Sequence, residues 1–492
     1  MKITIQKAKN GEETASADGH FLHSNYAPQK EALRFADNLN LSYTPNQIII
    51  TEPALSYAAD FLRKKYPQIK IGAIRYEKDF SAYNSKFDFV LNYYEHPDFE
   101  VYLENCFSED ELVLTYFISW TPSAQIFKEE ENIVWKSIKA AMERAKTLLI
   151  TRQYFEKKWL INSCSFFRNV QHVVSLDKII DKDVLIISSG PSLKPFLNYI
   201  KDNQNKFFII CLSSAISVCV KNNIIPDLCM TTDGGFWAGE HLKKLWKLDV
   251  PVAMPAEAFC SKGLLRKLKV LPLMYGEGIS KDLTKASNIK YKSAVRNGTV
   301  SGTALLFAVQ HSSKNIYMCG LDMANQTGFQ HTQPNELELN TVIHDNRITN
   351  KDTRLSKSEL TNGSLDIYRQ WFYNFQLKDE KRQAYRLMQE EDKKNNLNQI
   401  ADLSLDEFIK LVEDNDSSES DIFTEADFKC DLQNLLNIFD KKDSVENIKK
   451  QLYPLDYVSL VHNNGSIEIQ NKIVNAWNEL KNKISGILNE NI

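Results

Sequence analysis

Six short apolar runs, separated by helix-like segments, constrain the fold of this chain more than any other feature. They are VLII at 184–187, FFIICL at 207–212, LCMTT at 228–232, VPVAM at 250–254, VLPLM at 270–274 and NIYMC at 315–319. The segments between them, at 214–221, 237–248, 261–267 and 301–312, carry apolar residues at helical spacing. Near-continuous apolar strands alternating with helices predict a doubly wound, Rossmann-like parallel sheet covered on both faces. Such sheets take ligands in the crevice at the carboxyl ends of their strands, so the polar turns that follow these runs are the places to look for chemistry.

The first run opens the stretch DVLIISSGPSL. Ser188, Ser189 and Gly190 allow a tight turn, and Ser192 is placed to cap a helix carrying Leu193, Phe196, Leu197 and Ile200. Unpaired N–H groups at such a helix start suit a phosphate. An ordinary strand-to-helix turn accounts for the same residues. The stretch is neither G-x-G-x-x-G nor a Walker loop, which counts against dinucleotide and P-loop chemistry.

Three later turns add candidates. In PDLCMTTDGG, Asp233 precedes Gly234 and Gly235, and its carboxylate could hold a sugar hydroxyl, a base amino group or a divalent ion. In RNGTVSGT, Ser301, Gly302 and Thr303 open a helix, with Arg296 and Asn297 as further donors. In CGLDMANQTGFQHT, Asp322 ends a strand and His331 follows in a loop, where an imidazole could take a proton from an attacking hydroxyl. Each has a plain alternative: a turn, an N-cap, a surface histidine. His344 and His311 are weaker candidates.

Around this centre the chain divides into a small N-terminal α/β domain (1–121), connecting helices (122–174), the central domain (175–350) and an all-helical C-terminal domain (351–492). The first has strand-like runs at 47–51, 71–76, 87–92 and 112–118, but its first turn, TEPALS, offers Glu52, Pro53 and Ala54 where a phosphate turn needs glycine. It is expected to be a structural or partner-binding module. DNDSSESD at 414–421 reads as a solvated loop. A net charge of −3 gives no field for nucleic acid. The eight cysteines show no C-x-x-C pairing and read as reduced core residues, with no metal site expected. No apolar stretch is long enough for a membrane span, and MKITIQKAKNGEE lacks the apolar core of a signal peptide, so a cytoplasmic location is expected.

SSGPSL, IIPDLCMTTD, NGTVSGTAL and NIYMCGLDMA…GFQHT, in this order, with HFLHSNYAPQKEA near residue 21, resemble the motility-associated factor (Maf) family of bacterial flagellin glycosyltransferases. The central domain of that family is similar to bacterial sialyltransferases. The resemblance spans most of residues 20–345. It implies transfer of a nonulosonic acid, such as pseudaminic or legionaminic acid, from its CMP donor to serine or threonine of flagellin. By the same analogy Gly190, Pro191, Ser192 and Asp233, with Ser189 and Gly234 beside them, would hold the nucleotide. Ser301, Gly302 and Thr303, with Asn297, would meet the cytidine phosphate or the sugar carboxylate. His331 would be the base, near Asp322. Two departures stand against a complete match: residues 323–331 hold no tyrosine for the leaving phosphate, and the sialyltransferase histidine falls further along. No cofactor is required, and a role for Mg2+ and the oligomeric state are left open.

Two rivals remain. Archaeal 6-hydroxymethylpterin diphosphokinases of the MptE-like superfamily also resemble the central domain and would move pyrophosphate from ATP with magnesium, yet TTDGG offers a single carboxylate for the metal. The other is a non-catalytic protein that binds flagellin or an envelope partner.

Overall fold

The computed structural model describes residues 1–323, 329–346, 363–379, 381–389, 396–412 and 422–490. The stretch at 414–421, expected to be a solvated loop, lies outside the described residues. The chain forms two compact units: residues 1–156 with 446–479, and residues 157–445 with 480–492.

The first unit holds strands β1 (Ile3–Lys7), β2 (Glu13–Ala17) and β3 (His20–Phe21), paired antiparallel in that order. Strands β4 (Gln47–Thr51), β5 (Lys70–Arg75), β6 (Phe89–Asn92) and β7 (Thr115–Ser119) form a parallel sheet in the order β6-β5-β4-β7. The βαβ reading of this region therefore holds, and the small antiparallel sheet is an addition to it. Ile48, Ile49 and Ile50 are fully buried because helices cover both faces of β4. The order reverses between β4 and β7, where a ligand crevice would open. There the Glu131 carboxylate accepts the Thr51 hydroxyl at 3.1 Å, the Tyr76 hydroxyl at 2.6 Å and the Trp135 indole N–H at 2.7 Å, and also the Ser119 hydroxyl. This crevice is filled by the protein's own side chains.

The turn after β4 corrects the reasoning from its composition. Glu52, Ala54 and Ser56 all adopt left-handed backbone, at φ +32°, +45° and +64°, with no glycine among them. The buried Arg75 guanidinium holds them, donating to Glu52 Oε1 at 3.0 Å, the Ala54 carbonyl at 2.9 Å and the Ser56 hydroxyl at 2.6 Å.

The second unit is built on one large sheet. Its strands are β8 (His172–Leu176), β9 (Asp183–Ile187), β10 (Phe207–Leu212), β11 (Leu228–Met230), β12 (Val252–Pro255) and β13 (Lys269–Tyr275). They continue with β14 (Lys292–Ala294), β15 (Ile316–Cys319), β16 (Ala384–Leu387), β17 (Ala401–Leu403) and β18 (Phe423–Ala426). Among the described residues the order is β17-β16-β15-β9-β10-β11-β12-β13-β8-β18, with β14 beside β13. All pairings are parallel except that of β18 with β8.

The doubly wound expectation is met, and all six predicted runs are strands of this sheet. The boundary expected at residue 350 does not delimit it, because β16, β17 and β18 come from the region assigned to an all-helical domain. That region is helical beyond them, at Leu432–Ile438, Lys442–Leu452, Pro454–His462 and Ile467–Leu488. The connecting helices expected at 122–174 are Thr121–Ile126 and Lys128–Asn169, and the strand β8 follows them.

Candidate active site

The order of the large sheet reverses between β9 and β15: strands β10 to β13 extend to one side of β9, and β15 to β17 lie on the other. At such a switch point the loops leaving neighbouring strands diverge, and a crevice opens at the carboxyl edge. The SSGPSL turn leaves β9 and the CGLD turn leaves β15, so the first and fourth candidate turns meet at this point.

They meet closely. The Gly190 N–H donates to the Gly320 carbonyl at 2.9 Å, and the Ser188 N–H to the Cys319 carbonyl at 2.8 Å. A Cβ on Gly190 would lie 2.4 Å from Asp322 Oδ2 and 2.5 Å from the Gly320 carbonyl. Gly320 has φ +73°, and a Cβ there would lie 2.3 Å from the Ser188 carbonyl. Both glycines are demanded by this approach. Gly190→Ala is expected to cost about 1–3 kcal/mol through overpacking, read as a lower urea midpoint at unchanged slope.

The expected cap is corrected. A 3₁₀ turn, Pro191–Phe196, precedes a short helix, Leu197–Asp202, and no side chain caps it from Gly190. The Ser192 hydroxyl is buried with no hydrogen-bond partner, and it is the Asp322 carboxylate that accepts the Ser192 N–H, at 3.2 Å. A carboxylate reaching across from the next strand does what a local serine was expected to do.

The third turn joins from the other face. Helix Val300–His311 is capped by Thr299, whose hydroxyl accepts the Gly302 N–H at 2.9 Å, so the cap lies two residues before Ser301. Gly302 packs against Asn297, whose Nδ2 would lie 2.6 Å from a Cβ there. Thr303 is buried, its hydroxyl within reach of the Thr299 and Val295 carbonyls at 3.3 and 3.4 Å. Ser301 faces the first turn: its hydroxyl is 3.2 Å from that of Ser188. The row of hydroxyls continues along the strand ends, with Ser189 at 2.9 Å from Ser214 and Ser213 donating to Thr231 at 3.3 Å.

Asp233 lies in the loop that leaves β11, two strands from β9 on the same carboxyl edge, exposed, with Oδ1 accepting the Gly235 N–H at 2.8 Å. Gly234 lies against Trp159, where a Cβ would come within 2.8 Å of the indole. Arg296, expected to be a donor, is engaged by carboxylates: it donates to Glu277 at 2.9 Å and to the buried Glu257. Its guanidinium is sandwiched 4.6 Å from the Trp159 ring centre and 4.4 Å from that of Tyr275. Burial pushes the Tyr275 hydroxyl up to about 12, against the pull of Arg296. Neither Glu257 nor Trp159 carries a motif that sequence reading could have found.

His331 lies on a segment pinned to the first turn. Thr332 donates its N–H to the Ser189 carbonyl at 2.7 Å and its hydroxyl to the Gly190 carbonyl at 2.8 Å. His331 itself is 31 % exposed at the side chain, with Nδ1 3.1 Å from Glu338 Oε1. Burial raises the Glu338 carboxyl, but the hydrogen bonds from the His331 ring and from the Gln330 and His331 amides outweigh it and hold the group below the ordinary carboxylate range. The sequence reading missed Glu338, and the spacing H-x6-E was its only trace. His344 is exposed with Nδ1 at 2.8 Å from the Asn340 carbonyl, and His311 ends helix Val300–His311 far from that helix's Ser301 end. Among the described residues no three or more His, Cys, Asp or Glu side chains are grouped as metal ligands would be.

This is a Rossmann-like α/β unit with its polar turns gathered at the switch point, and comparison with known proteins agrees. Residues 157–328 match the family model of 6-hydroxymethylpterin diphosphokinase MptE-like proteins, beginning where the second unit begins. The chain is 30 % identical over 275 residues to an uncharacterised protein of Treponema pallidum (strain Nichols), a match that covers 56 % of this chain and 60 % of that protein. Its fold is that of the Maf glycosyltransferase from Magnetospirillum magneticum AMB-1, with a TM-score of 0.54 at 12 % identity over 99 % of this chain and 91 % of the other. Both resemblances seen in the sequence are thus found again. No helix among the described residues is long and apolar enough to cross a membrane.

Proposed function

We propose that the second unit is a glycosyltransferase that moves a nonulosonic acid from its CMP donor to a serine or threonine hydroxyl of flagellin, in the cytoplasm. The observation that carries this reading is the convergence at the switch point of Gly190, Ser301 and Asp322 with the segment bearing His331. In this reading the Ser188 and Ser301 hydroxyls and the start of helix Val300–His311 receive the phosphate, while Ser189, Gly190, Pro191, Ser192 and Asp322 shape the nucleotide's seat. Asn297, Gly302 and Thr303 build the helix start. Asp233 and Gly234 hold the outer part of the donor. CMP is already a good leaving group, so orientation and charge neutralisation supply most of the catalysis. His331 takes the acceptor's proton as its oxygen bonds to the anomeric carbon, and the bond from that carbon to the phosphate oxygen breaks, its electron pair leaving with CMP.

The family match of residues 157–328 favours a second reading, pyrophosphate transfer from ATP with Mg2+. Thermal shift separates the two. A ligand at a hundred times its Kd stabilises the folded protein by about 2.7 kcal/mol. CMP is expected to raise the melting temperature by a few degrees and ATP with Mg2+ to leave it unchanged. The reverse outcome would install the pyrophosphokinase, and no shift with either would support a non-catalytic binding protein.

A further inference from the structure

His331 presents two ring nitrogens, and which one meets the acceptor depends on what holds the other. Its segment is anchored independently of the ring. Asn335, fully buried, accepts the Leu337 and Glu338 N–H groups at 3.1 and 3.3 Å and donates to the Ser214 carbonyl at 3.0 Å, which sets the start of helix Glu336–Ile343. Glu336, one residue on, accepts from the Ser217 hydroxyl and sits 2.7 Å from Nδ1 of His241, a histidine only 6 % exposed. That second pair is closed to an acceptor and serves to fasten the helix. Glu338, by contrast, has its Oε1 fixed by the Gln330 and His331 amides at 2.9 and 3.2 Å before it meets the ring.

We propose that Glu338 is the positioning residue of the transfer reaction: it accepts the Nδ1 proton of His331, and so leaves Nε2 unprotonated and turned to the acceptor hydroxyl. This rests on the reading of His331 as the base. When Nε2 takes the acceptor's proton, the Glu338 carboxylate balances the imidazolium that forms, and the proton leaves to solvent after CMP departs.

The test uses the full chain labelled with 15N-histidine, the His331 signals being assigned by their loss in His331→Ala. In its neutral form the His331 ring is expected to carry its proton on Nδ1. In Glu338→Gln the amide Oε1 can still accept from the Gln330 and His331 amides and from Nδ1–H, so the Nδ1–H form is expected to persist, but with no charge to balance the imidazolium kcat is expected to fall by roughly 10- to 100-fold, as it does when a carboxylate behind a metal-bound histidine is lost, with KM for the donor changed less than twofold. An Nε2–H tautomer in the unaltered chain would overturn the proposal even if Glu338→Gln failed to fold, and so would an unchanged kcat in a folded Glu338→Gln. If His331→Ala still transfers sugar, the base assignment itself falls. If His331→Ala is inactive while Glu338→Gln is fully active, only the role of Glu338 falls.

Discussion

Replacing His331 by alanine is expected to slow transfer by about 10²–10⁴-fold, the contribution of a positioned general base, while CMP affinity stays within twofold. The split follows from where the ring sits. His331 is joined to the SSGPSL turn through the backbone and hydroxyl of its neighbour Thr332, which bond to the Ser189 and Gly190 carbonyls, so removing the imidazole leaves that turn intact. Calorimetric titration with CMP and a single-turnover assay on a flagellin acceptor measure the two halves separately. Loss of CMP binding would mean that the ring holds donor, and unchanged turnover would remove it from the chemistry.

The largest effect on stability is expected in the first unit, at Arg75. Both its side chain and that of Glu52 are 0 % exposed, and the pair is 3.0 Å apart. Arg75→Met leaves the Glu52 carboxylate buried without its counter-charge and takes one hydrogen bond from each of the three left-handed residues. Breaking a buried pair on one side costs about 3–5 kcal/mol. Urea unfolding of the unit's transition is expected to show a loss of this size. Glu52→Gln combined with Arg75→Met is expected to recover part of it, since the orphaned charge is then gone. A single-variant loss under 1 kcal/mol would show that the pair does not hold the turn.

What could be read from the sequence follows from what kind of residue each element uses. Strands filled with Val, Ile and Leu and buried on both faces announce themselves, and β4, β9 and β10 begin or end within a residue of their expected positions. Strand β16 did not, because its interior includes Arg386. That side chain is fully buried, and its charge is met by Asp402, its partner in register on β17, at 2.6 and 2.8 Å. An ion pair formed across two strands cannot be seen along one. The same limit explains the site. The four turns were legible because each is local, with small residues after an apolar run. Asp322 as the cap of the first turn, Glu338 behind His331 and Glu257 beneath Arg296 are contacts between turns, and local patterns do not record them.

The first unit is assembled from two distant pieces of chain. The Leu455 N–H donates to Gln153 at 2.9 Å, Val458 packs with Leu114 and Leu149, and Asn464 donates to the Ser42 carbonyl at 3.2 Å. On the ribosome, the 289 residues from 157 to 445 must emerge before that second piece exists. Domains made from one uninterrupted stretch can fold as synthesis proceeds, but the contacts that residues 446–479 make with residues 1–156 form only after the whole stretch between them has been made.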